Sequence, residues 1–243
     1  MRRNHQKTQR VSLCFFFVFD LATAKMRNFF IPFTFLPFFF SLADFVVFET
    51  HVPPRKQSCT TFLPNSFNRS PDVDAPSPSS GFSMNPLLKW ADKVASGSRR
   101  GSVCFTLTLA TLRFLLNSEH RGFGQACHEY HPASYMQASP NCRLWQNIRL
   151  DQESTCNYAQ VPGKHGSTYF RIEGFDNVAS LELKLESILS RHPSLCVALV
   201  DVDCDDFLGV CDDGQPFARL HTVQKILRRF AVTAQFYVDL RRR

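Results

Sequence analysis

The chain has 243 residues, 44% of them hydrophobic and 20% charged, which is enough for one large core or two small ones and argues against disorder throughout. Its formal net charge of +7 is concentrated at the ends, because residues 1–24 and Arg241–Arg243 contribute six of the seven charges. The rest of the chain is nearly neutral, so no basic face of the kind that binds nucleic acid is expected.

The chain begins with a predicted signal peptide over residues 1–24. Four basic residues lie near its start, an apolar run follows over 11–19, and Ala22–Ala24 provides the small residues of a cleavage site. Asp20 departs from the usual pattern. The segment predicts a secreted, extracellular protein.

Phenylalanine is concentrated near the amino terminus, where 13 of the 25 Phe precede residue 50. The uncharged run 29–43 is short for a membrane span and is interrupted by two prolines. A membrane anchor through residues 11–43 is therefore the alternative interpretation and not the leading one. Most residues of this run have codons that can consist only of pyrimidines. We therefore also hypothesise that segment 25–41 is non-native and that the domain starts near Leu42.

Hydrophobic periodicity and turn residues predict alternating strands and helices in the remainder. A Pro- and Ser-rich loop over 53–83 carries a glycosylation sequon at Asn68, and residues 117–170 have the turn-rich character of a small cross-linked insertion. Buried strands that alternate with helices indicate an α/β fold with parallel strands. The predicted elements are strand 43–49, helix 85–95, strand 103–114, helix 178–189, strand 195–202 and helix 222–230.

The helix predicted over 178–189 has one apolar and one polar face. Leucine and isoleucine side chains are expected to face the core, and charged side chains are expected to face water. The inward set is Leu181, Leu185, Ile188 and Leu189, and the outward set is Glu182, Lys184 and Glu186.

Nine cysteines indicate an oxidising compartment. Cys14 lies in the first apolar run, and the other eight form an even set that fits disulfides better than zinc, since the chain contains no C-x-x-C pair. Neither a metal site nor a cofactor is predicted. The eight are Cys59, Cys104, Cys127, Cys142, Cys156, Cys196, Cys204 and Cys211.

Acidic residues are densest in the stretch Asp201–Asp206, directly after a predicted buried strand. A calcium loop is one alternative, but its sixth and twelfth positions would be Asp206 and Asp212, where an EF-hand has Gly and Glu. We favour the simpler interpretation, in which these carboxylates accept hydrogen bonds from neighbouring backbone amides.

The same region contains a specific set of motifs. Phe175–Asn177 is followed by Ser180 and Lys184, then by Val197–Val200 and Asp203–Cys211. Together these resemble the end of the family 18 glycoside hydrolases, the chitinase family, in which an F-D-D…S…K helix leads to a last barrel strand reading V-W-x-L-D-x-D-D-F-x-G-x-C. The stretch 44–51 is similar to their sixth strand, D-F-x-N-x-M-x-Y-D, and Tyr135 with Cys142 is similar to their Y-x-E-V-C turn. The resemblance covers roughly residues 42–227.

The resemblance implies part of a (β/α)8 TIM barrel, namely its last three strands, with an α+β insertion after the seventh strand. It also implies a disulfide between Cys142 and Cys211, and it leaves the pairing of the other six cysteines open. The implied organisation is strands six and seven within 42–116, the insertion at 117–174, the last barrel helix, strand eight and a final helix at 175–230, and a basic tail at 231–243.

Departures from the family pattern concern the groups that carry catalysis. The motif D-x-x-D-x-D-x-E, whose Glu protonates the glycosidic oxygen, is absent, so no catalytic residue is assigned. The family's Met, Tyr and Asp on the sixth strand match Glu49, His51 and Val52, and its sugar-stacking Trp matches Val200.

Four residues remain as weak substrate-binding candidates: Glu49, His51, Val200 and Asp203. Glu49 and His51 lie on the same side of a strand, two residues apart, which suggests an acid–base pair. The alternative that we favour is an exposed pair at a strand end.

The leading functional interpretation is a secreted, catalytically silent chitinase-like protein that binds carbohydrate or acts through extracellular interactions. The expected partner is chitin or an N-acetylglucosamine oligosaccharide, not nucleic acid or a membrane. The alternatives are a fragment of an active chitin-hydrolysing enzyme and the membrane-anchored protein described above.

Overall fold

The structure is a computed structural model, and it describes residues 16–19, 45–51, 59–67, 83–97, 102–116, 123, 126–127, 135–136, 142–144, 146–152, 154–161, 170–211, 214–230 and 234–236. Segment 25–41, the sequon at Asn68, most of the predicted signal peptide and most of the basic tail lie outside these ranges. In chain order the elements are β1 (Phe16–Phe19), β2 (Phe45–Phe48), α1 (Asn85–Gly97), β3 (Ser102–Thr108), β4 (Thr111–Leu116), β5 (Tyr135–Met136), β6 (Gln146–Asp151), β7 (Cys156–Val161), β8 (Phe170–Phe175), α2 (Val178–Arg191), β9 (Leu195–Val200), α3 (Ala218–Arg229) and β10 (Ala234–Phe236).

The first sheet is parallel and has the strand order β1-β2-β3-β9-β10. Its centre, β3 against β9, pairs Val103 with Leu195 and continues in register to Thr108 and Val200. The predicted α/β class with parallel strands is confirmed. Within the described ranges this sheet has two ends and does not close on itself.

The main core lies between one face of this sheet and the helices. Val46 and Phe48 of β2 share that face with alternate residues of β3 and β9, and α1, α2 and α3 contribute buried side chains to the same cluster. Every residue of β9 is buried, as the continuous apolar run predicts. Leu181, Leu185, Ile188 and Leu189 of α2 are buried in this core, as predicted.

The opposite face of the parallel sheet carries a smaller cluster formed by Val47, Cys104, Cys196 and Ala198. Cys104 and Cys196 are register partners on neighbouring strands and form a disulfide. This face continues at its carboxyl end into polar residues, which form the candidate site described below.

The second sheet is antiparallel, with the order β5-β4-β8-β7-β6, and it packs a core around Phe62, Phe114 and Ile172. The predicted single strand 103–114 is wrong, because the chain leaves the first sheet after Thr108 and enters the second at Thr111. Two hydrogen bonds fix the crossover: the Leu109 N–H donates to Val200 O at 3.2 Å, and the Ala110 N–H donates to Thr108 Oγ1 at 3.0 Å.

The helix ends are set by local hydrogen bonds. Asn177 and Ser180 form a reciprocal capping box at the start of α2, and the helix continues to Arg191, two residues beyond its predicted end. The last helix begins at Ala218, four residues earlier than predicted, because Asp205 and Asp206 hold the turn that precedes it.

The expectation that all eight cysteines form disulfides is wrong for two of them. The disulfides are Cys59–Cys127, Cys104–Cys196 and Cys142–Cys211. Cys156 and Cys204 are buried thiols outside these disulfides. Both lie among groups that already hold them in place, since Cys156 contacts Lys184 and Cys204 directly precedes the carboxylate that binds Arg219.

Candidate functional site at the carboxyl ends of the parallel strands

Polar residues follow three neighbouring parallel strands where those strands end. Glu49–His51 follows β2, Thr106 and Thr108 close β3, and Asp201 follows β9. Because parallel strands end at the same edge of a sheet, these groups are brought together by the topology. Of the four candidates from sequence, the edge gathers Glu49, His51 and Val200. It also gathers Asp201, the first residue of the acidic stretch considered above, and Thr106 and Thr108, which the sequence does not single out.

His51 is held rigidly inside the protein. It is only 1% exposed, and its Nδ1 lies 2.8 Å from Thr106 Oγ1. The Thr106 hydroxyl donates to Phe48 O at 3.2 Å and accepts the Thr50 N–H at 2.7 Å. Its one proton is therefore used, so the His51 Nδ1 carries the hydrogen of this contact, and in the neutral ring Nε2 is an acceptor.

Glu49 precedes His51 by two residues and is half-buried. The favoured alternative from sequence, an exposed pair at a strand end, is wrong for His51. Thr50 lies between them and is locked to β3, since its hydroxyl donates to Thr106 O at 2.9 Å and accepts the Thr106 N–H at 3.0 Å. The strand end that carries Glu49 and His51 is thus fixed by side chain–backbone bonds beyond the last ladder pair.

Asp201 occupies a strained position at the end of β9. Its backbone φ of 52° lies in the left-handed region, which is costly for a residue other than glycine. The Thr108 hydroxyl donates to Asp201 Oδ2 at 2.6 Å, which orients the carboxylate. A charge-assisted bond of this length is among the stronger kinds.

The other two candidates have different surroundings. Val200 is buried at the end of β9, and its carbonyl accepts the Leu109 N–H. Asp203 is exposed in the short 3-10 helix Val202–Cys204. Asp203 is therefore on the surface beside the edge, whereas Val200 contributes a small apolar side chain to it.

Asn65 connects this edge to the second sheet. Its amide donates to Thr108 O at 2.8 Å and to Asp176 Oδ2 at 2.8 Å, and its Oδ1 accepts the Thr108 N–H at 2.8 Å. No periodicity marks Asn65, because it lies in an irregular loop, so sequence patterns did not identify it.

Behind Asn65 lies a fully buried ionic cluster. Lys184 Nζ lies 2.7 Å from both oxygens of Asp176 and 3.2 Å from Cys156 Sγ. The prediction that Lys184 faces water is wrong: it is 0% exposed, because Asp176 offers a buried partner at the end of β8. This cluster fixes β7, β8 and α2 together at the base of the loop that carries Asn65.

The cluster shifts two pKa values. Burial raises the pKa of the Cys156 thiol from its ordinary 9.0 to about 12, despite the opposing effect of Lys184. Burial by itself lowers the pKa of Lys184, but the Asp176 carboxylate and Cys156 outweigh it, so the pKa is raised. Lys184 is therefore an ammonium and Cys156 a neutral thiol at neutral pH.

The acidic loop after β9 has a structural role. Asp205 pairs with buried Arg219 at 2.8 Å and accepts the Leu220 N–H, while Asp206 accepts the N–H groups of Val210 and Cys211. The interpretation that these carboxylates satisfy backbone amides is confirmed for both residues. Across the described part of the chain, no three His, Cys, Asp or Glu side chains are grouped so as to hold a metal ion.

The loop is also tied to the second sheet, because Cys142, just before β6, forms a disulfide with Cys211. This is the pairing that the family resemblance implies. None of the helices in the described segments has the length and apolarity needed to cross a membrane.

Comparisons of sequence find no relatives: no protein-family model matches the chain, and no curated protein matches it. Solved structures do match. The Group IV chitinase of Ostrinia furnacalis superposes with a TM-score of 0.61 at 17% identity, over 79% of this chain and 53% of that one. A family GH18 chitinase from Cycas revoluta, in complex with allosamidin, gives 0.55 at 16% identity, over 79% and 49%.

A chitinase-like protein is among the same matches. Human YKL-39, described as a pseudo-chitinase with retained chitooligosaccharide binding properties, gives a TM-score of 0.61 at 17% identity over 79% of this chain and 53% of that one. A structure of YKL-39 in the presence of chitooligosaccharides gives 0.67 at 17% identity, over 91% and 59%. The chain spans about half the length of these solved structures. It has the α/β fold of family 18 glycoside hydrolases, the chitinases and chitinase-like proteins.

Proposed function

We propose that this chain is a secreted chitinase-like protein that binds N-acetylglucosamine oligosaccharides at the carboxyl edge of its parallel sheet without hydrolysing them. The observation that carries the proposal is the placement of two carboxylates at that edge, Glu49 and Asp201, the second oriented by Thr108, in a fold shared with a pseudo-chitinase that binds chitooligosaccharides. Three disulfides fit an oxidising, extracellular compartment.

We propose that β2, β3 and β9 correspond to the sixth, seventh and eighth strands of a (β/α)8 barrel. Their order and parallel direction are those that consecutive barrel strands have, and the antiparallel sheet follows β3 as the α+β insertion follows the seventh strand. In such barrels the carboxyl ends of the strands carry the ligand site, which supports placing the sugar at this edge.

The chemistry of the edge suits an acetamido sugar. An oligosaccharide of N-acetylglucosamine is neutral and presents hydroxyl and amide N–H donors, and carboxylates and a neutral imidazole nitrogen accept from such donors. Glu49 and Asp201 are acceptors of this kind, and Thr108 holds Asp201 in place. His51 is buried and supports the strand end that carries Glu49. Acceptors that are already held in place lose less conformational entropy when a ligand binds.

Hydrolysis is not proposed, because the chemistry it needs is missing from this sequence. Family catalysis uses the Glu of D-x-x-D-x-D-x-E as a general acid, and that spacing is absent. The positions that resemble the family's acetamido-holding Tyr and Asp are His51 and Val52, and its stacking Trp corresponds to Val200, which has no aromatic face.

The binding experiment is a calorimetric titration of the full chain with the N-acetylglucosamine tetramer. We expect saturable binding, weakened roughly tenfold by Glu49→Gln, because a hydrogen bond to a charged acceptor contributes on the order of 1.4 kcal/mol. His51→Asn keeps a donor near the Nδ1 position for Thr106 but leaves part of the buried ring volume empty, so it should also weaken binding by loosening the strand end that carries Glu49. Glu186→Gln, on the surface of α2, is the matched control and should bind like the unmodified chain.

The second measurement follows the tetramer by mass spectrometry during incubation with the chain. We expect the tetramer to remain intact. Release of shorter oligosaccharides at a rate that Glu49→Gln abolishes would overturn the catalytically silent part of the proposal and favour the hydrolase alternative. An absence of binding to the unmodified chain would overturn the sugar-binding part.

A further inference from the structure

We infer that β6 is a self-association edge, through which two copies of this chain join their antiparallel sheets across a twofold axis. This inference is independent of the proposed sugar site, because β6 lies at the outer end of the second sheet. The strand order β5-β4-β8-β7-β6 leaves one side of β6 without a neighbouring strand among the described elements. Unpaired edges are templates for pairing with another chain.

The exposed side chains of β6 have the composition of an interface. Ile148 is 54% exposed and Leu150 is 46% exposed, and alternation places them on the same side of the strand. Two exposed aliphatic side chains on an open edge add apolar surface that a second strand can contact, although the same strand also carries charged residues. A partner strand would cover both.

Charge complementarity selects the partner and the register. Arg149 and Asp151 lie on the other side of β6, two residues apart and with opposite charges. In an antiparallel pair of identical strands with Leu150 on the twofold axis, Leu150 meets Leu150, and each Arg149 lies opposite Asp151 of the second copy. The strand is therefore complementary to itself, and oppositely charged residues directly across a ladder stabilise it.

Neighbouring registers are less favourable. An axis at Arg149 places the two arginines opposite each other, and an axis at Asp151 does the same with the two aspartates. Like charges directly opposite one another destabilise a ladder. Asp151 accepts the Ser154 hydroxyl at 2.5 Å, and a carboxylate has lone pairs left to receive the guanidinium as well.

The start of β6 is positioned so that only its second half can pair. The ladder with β7 shifts register between Gln146 and Arg149, and Asn147 has a φ of 50°. Such a bulge turns the first residues away from the edge. Residues 148–151 remain as the extended segment before the turn at residue 152, and the axis at Leu150 lies within it.

The first test is sedimentation of the full chain over a range of concentrations. We expect a reversible dimer, and Arg149→Asp should raise its dissociation constant at least about tenfold, because it places two acidic side chains opposite each other at both ends of the pairing. The double variant R149D/D151R exchanges the charges within each strand and should restore the dimer. A monomer for the unmodified chain at all concentrations, or no restoration by the double variant, would overturn the inference.

The second test does not depend on how the charge variants fold. Leu150→Cys places a thiol on the twofold axis, so oxidation should join two copies through residue 150. Leu183→Cys is the matched control, because Leu183 is 55% exposed on α2, away from β6. Cross-linking of L150C and not of L183C supports the inference, and equal cross-linking of both contradicts it.

Discussion

At the scale of single residues, the buried pair between Asp176 and Lys184 is an interaction whose loss is costly. Both side chains are 0% exposed, and Lys184 Nζ lies 2.7 Å from each carboxylate oxygen. Removing one partner leaves the other charge buried without compensation. The pair therefore fixes α2 against β8 only as long as both members are present.

We expect Lys184→Met to lower the free energy of unfolding by about 3–5 kcal/mol, as measured by urea denaturation. Glu186 lies on the same helix as Lys184 and forms an exposed pair with Arg229 of α3. Glu186→Gln removes that pair and should change the free energy of unfolding by less than about 1 kcal/mol. Similar losses in the two variants would contradict the buried arrangement.

The same cluster predicts a loss of stability at alkaline pH. The pKa of Cys156 is raised from 9.0 to about 12 in the folded chain, so between these values the unfolded chain releases a proton that the folded chain keeps. The free energy of unfolding then falls as pH rises, by about 1.4 kcal/mol per pH unit. The raised pKa of Lys184 acts in the same direction, since its contribution is complete below its ordinary 10.5 and is lost as pH rises through the folded value.

The alkaline loss is measured by rapid thermal ramps between pH 8 and pH 11. Cys156→Ser should show a shallower decline above pH 9, because a serine hydroxyl does not ionise there. Equal slopes for this variant and the unmodified chain would show that Cys156 titrates normally in the fold.

Sequence patterns located some of these residues and missed others for a physical reason. The two-residue spacing of Glu49 and His51 correctly placed them at the end of a strand, because strand geometry is local. Lys184 has the helical position of a solvent-facing residue, and only a carboxylate brought from β8 makes its burial favourable. Asn65 and Thr108 meet across 43 residues of chain, which no local pattern encodes.

At the scale of elements, the Cys104–Cys196 disulfide joins the two central strands of the parallel sheet. It connects register partners and closes a loop with a sequence separation of 92. We expect the variant C104A/C196A to lose about 2–5 kcal/mol of unfolding free energy, measured by urea denaturation, because its unfolded chain is less constrained. An unchanged free energy of unfolding would contradict a stabilising role for this cross-link.

Hydrophobic periodicity located the buried strand β9 and the amphipathic helix α2, since both are buried by simple geometry. It did not locate the strands of the second sheet within 135–175 or the passage between the two sheets. The run 103–114 contains no glycine or proline, so nothing in its pattern marks that passage at Leu109. The break depends on hydrogen bonds to Val200 and Thr108 that form only in the folded chain.

At the scale of the whole molecule, the chain combines a five-stranded parallel sheet, three helices on one of its faces and a five-stranded antiparallel sheet within the described ranges. It covers 53% of the Ostrinia furnacalis chitinase with which it superposes. Glu49, His51 and Asp201 all follow strands of the same parallel sheet in this chain.

We propose above all that this chain folds and presents a sugar site at the carboxyl edge of that sheet. The most direct test is thermal unfolding of the full chain with the N-acetylglucosamine tetramer or with cellotetraose, which lacks the acetamido groups. We predict one cooperative transition that only the N-acetylglucosamine tetramer shifts upward, because a ligand that binds the folded state alone stabilises it. A transition that neither sugar shifts, or that both shift equally, would contradict the claim.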